Sequence, residues 1–235
     1  DLGSAVVFFV AYIVMLYVAT KKARYALAGL AGGTLAAVVA YFLFNHVRQR
    51  VIVWQDPIAV YDKVGGGYQV AQGLFGISAG GWFGMGLGKG MPNIIPVVDK
   101  DFIFAAICEE LGAIFAICML LVCMSCYLMI VNVSMQMSKP FYKLIAMGLG
   151  AEYAFQVFLT IGGATKFIPM TGVTLPLVSY GGSSVACTVL MLAIIQGLYI
   201  LREDEDEEIE SQRKETFERR GKRATPERTG YRQAP

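Results

Sequence analysis

Carboxylates are nearly missing from most of this chain: before Arg202 only Asp1, Asp56, Asp62, Asp99, Asp101, Glu109, Glu110 and Glu152 occur. Histidine is rarer still. The single one, His46, leaves no base for a serine triad and makes no familiar metal spacing with the cysteines. The 5 cysteines, Cys108, Cys118, Cys123, Cys126 and Cys187, are odd in number and sit in apolar runs, which excludes a disulfide framework. The Cys123-x-x-Cys126 pair reads as small residues packed inside a helix. No basic segment or small-residue cleavage site follows Asp1, so the first apolar run is not a signal peptide. A start on Asp rather than Met is expected of a segment of a longer protein. The net charge of +2 owes as much to the last stretch as to the body and leaves no footprint for nucleic acid.

Apolar residues take the place of charge. Of 235 residues, 56% are hydrophobic and 16% charged, with a mean hydropathy of +0.54. Soluble domains lie nearer about 45–50% and about 25%, so the body belongs in lipid. A spanning helix needs about 20 apolar residues. The candidates are residues 5–19, 25–44, 102–131, 144–161 and 175–201. Lipid offers no water to an open backbone, so the fold class is an all-α polytopic membrane helix bundle of about five spans. Residues 1–45 supply two spans, 46–100 a large extracytoplasmic loop, 101–201 three spans, and 202–235 a charged, disordered cytoplasmic tail. Sidedness rests on two short basic loops, Lys21, Lys22 and Arg24, then Lys139 and Lys143, which belong on the cytoplasmic side. Arg48 and Arg50 then lie outside, against the simple rule. Small residues in rows (Ala28, Gly32, Ala36 and Ala40, with Gly29 and Gly33 beside them; Ala146, Gly150 and Ala154) allow close helix approach. The tail has an acidic block, Glu203–Glu210, and a basic stretch, Arg213–Arg232, without apolar periodicity.

Few polar groups remain to carry chemistry. Asp101 opens the third span. An Asp just ahead of an apolar helix is ordinarily an N-cap, yet this one lies at the outer surface, beside a long loop, where a polar headgroup can reach it. Glu109 and Glu110 point roughly 100° apart on the same span, and Glu109 lies nearer the face of Asp101, roughly 80° away. Glu152, Gln156 and Thr160 share one face of the fourth span, and ionisable groups there usually face a cavity or a partner. The run Gly80–Gly90 contains Gly88-Lys89 but no Ser or Thr after the lysine, so it is not a P-loop. A flexible or re-entrant loop is expected, with Lys89 and the backbone amides still able to meet a lipid diphosphate. Pro176, Gly181 and Gly182, with Ser179, Ser183 and Ser184, interrupt a helix start as the lining of a polar cavity does.

The stretch Thr171-Gly172-Val173-Thr174-Leu175-Pro176-Leu177-Val178-Ser179-Tyr180-Gly181-Gly182-Ser183-Ser184 closely resembles the C-terminal signature of the FtsW/RodA/SpoVE, or SEDS, family. Other blocks agree in order and spacing. His46 to Val51 with Trp54, Asp56 and Pro57 resembles the start of the family's large extracellular loop. Gly67-Tyr68-Gln69 with Gln72 and the glycine run resembles its middle. Pro96, Asp101-Phe102-Ile103-Phe104-Ala105 and Glu109-Glu110-Leu111-Gly112 resemble its end and the next span. The resemblance covers Asp1 to about Leu201 and implies the second half of a ten-helix fold in the bacterial plasma membrane. Thr160, Lys166, Glu152 and Val97-Val98-Asp99-Lys100 depart from the usual pattern, where Asn, Gly, a non-acidic residue and Glu-x-His-Thr are common.

The resemblance implies a peptidoglycan glycosyltransferase that polymerises lipid II, the undecaprenyl-diphosphate-linked disaccharide-pentapeptide, during cell division or elongation. Asp101 matches the family's essential acidic residue and would serve as general base. Arg48, Arg50 and Lys89 are candidates to meet the leaving diphosphate, as is a divalent cation, Mg2+ or Mn2+, for which the sequence specifies no protein ligands. Glu109, Gln156, Ser179, Ser183 and Ser184 are the other substrate-contact candidates. Implied partners are lipid II, the growing glycan strand, a class B penicillin-binding protein and other divisome or elongasome membrane proteins. Two other classes stay open. A flippase for the lipid-linked precursor needs polar groups along the whole depth of the bilayer; a non-enzymatic division scaffold needs none.

Overall fold

The computed structural model describes residues 2–62 and 67–224, and among them all regular structure is helical. The order is α1 (Leu2–Thr20), α2 (Ala23–Leu43), α3 (Asn45–Gln55), α4 (Gly67–Gly80), a 3-10 turn (Pro92–Ile94), α5 (Ile103–Gln136), α6 (Pro140–Ala164) and α7 (Gly182–Ala224). Among the described residues 5 helices are long and apolar enough to cross a membrane: α1, α2, α5, α6 and the part of α7 up to Asp204.

Helix α6 is the hub, packed against α1 on one side and α5 on the other. Glycines make this approach close. A Cβ on Gly148 would meet Met15 of α1, and one on Gly150 would meet Ile130 of α5. Lipid gives apolar side chains no drive to associate, so close van der Waals packing has to hold the bundle. On α2 the row with Gly29 and Gly33 packs on Ile13 and Phe9 of α1, whereas Gly32 has open space around it and α2 buries no side chain. Of the two adjacent small-residue rows on α2, one is thus a contact and the other faces outward.

The stretch between the second and third spans is more ordered than a loop. Helix α3 carries Arg50 and Trp54 and ends where Asp56 Oδ1 accepts the N–H groups of Ile58 and Ala59 at 3.1 and 3.0 Å. Helix α4 lies along α5, and its Gly73 leaves room for Phe102, which is fully buried directly beside Asp101.

The glycine run explains a break in α5. Gly112 has φ 84° and ψ 172°, so the α5 ladder is interrupted there. The freed carbonyls of Glu109 and Glu110 accept the N–H groups of Met85 (2.8 Å) and Gly86 (3.0 Å). In return Ala113 and Ile114 donate to the carbonyls of Gly81 (2.9 Å) and Trp82 (3.3 Å). Backbone polar groups at membrane depth must be paired inside the protein, and the loop supplies the partners the break removes. The stretch is therefore docked, not flexible.

The two largest differences from the sequence reading are at the ends of the fifth span. The fifth span begins at Gly182, not at Leu175, because Pro176 and the hydroxyl contacts around Ser179 hold residues 175–181 in a turn. At the other end α7 continues to Ala224, where a disordered tail is expected from residue 202. Glu, Lys and Arg are strong helix formers, and exposed pairs such as Glu210–Lys214 (3.8 Å) add about 0.3–0.5 kcal/mol each, so propagation from the span outruns the lack of an apolar face. Residues 225–235 of that expected tail lie outside the described residues.

Candidate functional site

Asp101 is half-buried, one residue before the buried Phe102 and two before α5 begins. It is not an N-cap. Phe102 holds that position, with no side-chain capping bond, and the Asp101 carboxylate accepts none. The ordinary structural reason for an Asp here is therefore missing, and the carboxylate instead lines a cavity of about 340 Å³ with Arg50, Trp54, Gln69, Lys166 and Gly172. Burial pushes its pKa above the ordinary carboxylate value, while the charges of Lys100 and Arg50 pull it back down.

Long-range hydrogen bonds hold this cavity together. Arg50 Nη1 donates to the carbonyls of Thr171 (2.8 Å) and Met170 (3.3 Å), tying α3 to the signature stretch. Arg50 makes no direct ion pair with Asp101, so neither carboxylate oxygen is spent on it. Gly172, at φ 77°, is the bare wall between them: a Cβ there would sit 3.7 Å from Asp101 Oδ2 and 3.8 Å from Arg50 Nη2. Trp54 Nε1 donates to the Lys166 carbonyl at 3.1 Å. Lys166 itself sits at φ 61°, just past the end of α6. A left-handed conformation costs a residue with a Cβ about 1–2 kcal/mol, which glycine would not pay.

The segment bearing Asp101 is latched from behind. The buried Ser179 hydroxyl donates to the Lys100 carbonyl and accepts the Leu175 N–H at 2.8 Å. Tyr180 N–H donates to the Asp99 carbonyl at 2.7 Å. The signature turn thus fixes the two peptides that precede Asp101.

A second cavity, of about 400 Å³, lies between α1, α6 and α7 and shares Gly172 with the first. Glu152, Gln156, Thr174, Ser183, Ser184 and Thr188 form its polar wall; Leu149, Leu190, Met191 and Ile194 form its apolar one. Gln156 Nε2 donates to the Thr174 carbonyl (2.9 Å), and Thr174 and Ser184 share a hydroxyl contact of 2.8 Å.

The residues singled out in the sequence fall into three groups. Asp101 and Arg50 line the first cavity, and Gln156, Ser183 and Ser184 line the second. The other four line neither. Arg48 is exposed on α3 and Lys89 is exposed on the glycine loop. Glu109 is buried against that loop, where Oε1 accepts the Met91 N–H at 2.8 Å, and Ser179 is the latch. Trp54, Gln69, Lys166 and Gly172 belong to the site without having been given a role from sequence. The signal for Lys166 was its departure from the family's usual Gly, five residues ahead of the signature stretch. Asp101 is the only carboxylate of the first cavity, and among the described residues no three His, Cys, Asp or Glu groups converge. The described residues therefore do not by themselves build a divalent-cation site.

The fold and site define a multi-pass helical membrane protein with a carboxylate and two cations in one cavity at the mouth of a span. The family model for FtsW, RodA and SpoVE, described as cell cycle protein, matches residues 1–203, and the chain belongs to that family. It is 40% identical over 195 residues to peptidoglycan glycosyltransferase RodA of Mycobacterium tuberculosis H37Rv, covering 83% of this chain and 41% of that one. It is 34% identical over 205 residues to the probable peptidoglycan glycosyltransferase FtsW of Aliivibrio salmonicida, covering 83% and 50%. A solved structure described as structural coordination of polymerization and crosslinking by a peptidoglycan synthase complex matches with a TM-score of 0.69 and 25% identity, over 86% of this chain and 56% of that one. The chain spans about half the length of the relatives it matches.

Proposed function

We propose that this chain is the C-terminal half of a peptidoglycan glycosyltransferase that polymerises lipid II. The observation that carries the reading is a half-buried, uncapped Asp101 facing a cavity beside Arg50, in a chain of the FtsW/RodA/SpoVE family. Asp101 takes the proton of the acceptor sugar hydroxyl. The hydroxyl oxygen forms a bond to the donor's anomeric carbon. The bond from that carbon to the diphosphate breaks, and its electron pair leaves with the polyprenyl diphosphate. Base catalysis of this kind contributes about 10²–10⁴ in rate. Arg50, held by two carbonyls, keeps a positive charge beside the carboxylate and favours its ionised form.

The cavity opens on the extracytoplasmic side in this reading, because Lys21, Lys22, Arg24, Lys139 and Lys143 all cluster at the opposite ends of the spans. The tail after α7's apolar part is then cytoplasmic. The solved peptidoglycan synthase complex supports a partner of the class B penicillin-binding type. Labelled lipid II given to the full-length protein with such a transpeptidase tests the reading: glycan ladders support it, and no polymer from a folded, partner-bound protein sinks it.

A flippase reading draws on the second cavity, which Glu152 and Gln156 line. Its α6 wall stops at Leu149, well short of Lys143. A pathway lined only part of the way does not carry a headgroup across, and polymerisation fits better.

The latch gives a positioning test. Ser179→Ala leaves the buried Leu175 N–H and Lys100 carbonyl without their partner and frees the peptide ahead of Asp101. Lost buried hydrogen bonds of this kind cost about 1–3 kcal/mol. The expected result is a turnover rate down by about tenfold with a smaller change in KM, restored by Ser179→Thr. A change confined to KM would mean that Ser179 touches substrate instead.

A further inference from the structure

We propose that Lys166 is the cation that recognises the diphosphate of the lipid-linked donor, an assignment that rests on the glycosyltransferase reading above. Three cations stood out in the sequence for this task, and their placement leaves it open. Arg48 and Lys89 are exposed and line neither cavity. Arg50 faces the cavity but gives Nη1 to the carbonyls of Met170 and Thr171. Lys166 lines the same cavity, and among the described residues its ammonium has no hydrogen bond or ion pair.

Its backbone points the same way. Lys166 follows the end of α6 at φ 61°, a position where glycine is free of strain. The Trp54 indole holds the Lys166 carbonyl and so fixes the unfavourable turn beside Asp101. Strain of this kind persists where surrounding structure over-determines it, and it clusters at functional sites. A lysine also suits the ligand: a diphosphate is a compact anion, and an ammonium meets it as a point charge without the planar geometry an arginine demands. Arg50 and Lys166 both line the cavity with Asp101, and the charge of Lys100 also acts on the carboxylate. The second cavity, which meets the first at Gly172, offers the apolar wall that a prenyl chain needs. Lys166 donates hydrogen bonds to the diphosphate oxygens that gain charge as the glycosidic bond breaks.

The test is direct binding of undecaprenyl diphosphate, undecaprenyl monophosphate and inorganic pyrophosphate to the full-length protein in detergent, for wild type, Lys166→Gly and Lys166→Arg. Lys166→Gly is expected to weaken undecaprenyl diphosphate by about tenfold or more, and the monophosphate by less. Lys166→Arg should recover most of the loss. The melting temperature of Lys166→Gly should be no lower than wild type, because glycine accepts φ 61° without strain. Diphosphate binding within about twofold of wild type in Lys166→Gly overturns the proposal and leaves Lys166 as a helix terminus. Pyrophosphate bound as tightly as the prenyl ester overturns the lipid-linked assignment. Lys166-dependent diphosphate binding by a protein that makes no polymer would remove the glycosyltransferase reading and leave the diphosphate site standing.

Discussion

Asp101→Asn in the full-length protein is expected to lower lipid II polymerisation by about 10²-fold or more while leaving insertion and folding intact. The two side chains share size and shape, but the amide cannot take a proton. Folding should survive because the carboxylate caps nothing and pairs with nothing directly. The sign of the pH linkage agrees. Burial raises the folded-state pKa of Asp101 above its unfolded value. Its favourable contribution to stability is therefore complete below the unfolded pKa and is lost as pH rises through the folded one. At neutral pH the ionised group burdens the fold, so the Asn variant should melt no lower than wild type. A folded Asn variant that polymerises at the wild-type rate would remove Asp101 from the chemistry.

Gly112→Ala should have the largest structural effect. The residue sits at φ 84°, and a Cβ there would overlap the backbone of Trp82, Phe83 and Gly84. Backbone cannot rotate away as a side chain can. The glycine loop would have to leave, stranding the carbonyls of Glu109 and Glu110 and the amides of Ala113 and Ile114. Each buried unpaired group costs about 1–3 kcal/mol in proteins, and four of them approach the whole stability of a domain. The expected outcome is loss of folded protein from detergent-solubilised membranes, read by thermal unfolding and size-exclusion profile. Wild-type melting behaviour in Gly112→Ala would mean that the loop is not docked into α5.

How far the sequence reached follows from the range of the forces involved. Hydrophobic run length is a local property, and it located every one of the spans. Asp101 and the signature turn were legible as contiguous motifs. Contacts that join distant segments were not. Arg50 meets Thr171 across 121 positions and Ser179 meets Lys100 across 79, and no spacing rule links them. For that reason Ser179 read as a substrate contact when its hydroxyl is spent on the backbone. Glu109 read as a neighbour of Asp101 from helix angle alone, and the angle held no information about the loop that claims it through Met91. Arg48 and Lys89 carried the right charge, but exposure separates them from Arg50 and Lys166. The α7 extension was missed because the tail was judged by apolar periodicity, whereas helix propensity and a preformed span suffice to continue it.

In the proposed mechanism an ionised Asp101 accepts the acceptor's proton during glycan polymerisation. The most direct measurement is kcat/KM for lipid II polymerisation across the acidic range, in wild type and in Asp101→Asn. A base must be deprotonated to act, so the wild-type rate should fall as pH drops through the folded pKa of Asp101, at a higher pH than an unburied Asp would give because burial raises it. The residual activity of the Asn variant should lack that fall. A wild-type rate that holds flat through the carboxylate range, or an Asn variant with the same acid limb at the same rate, would contradict the account.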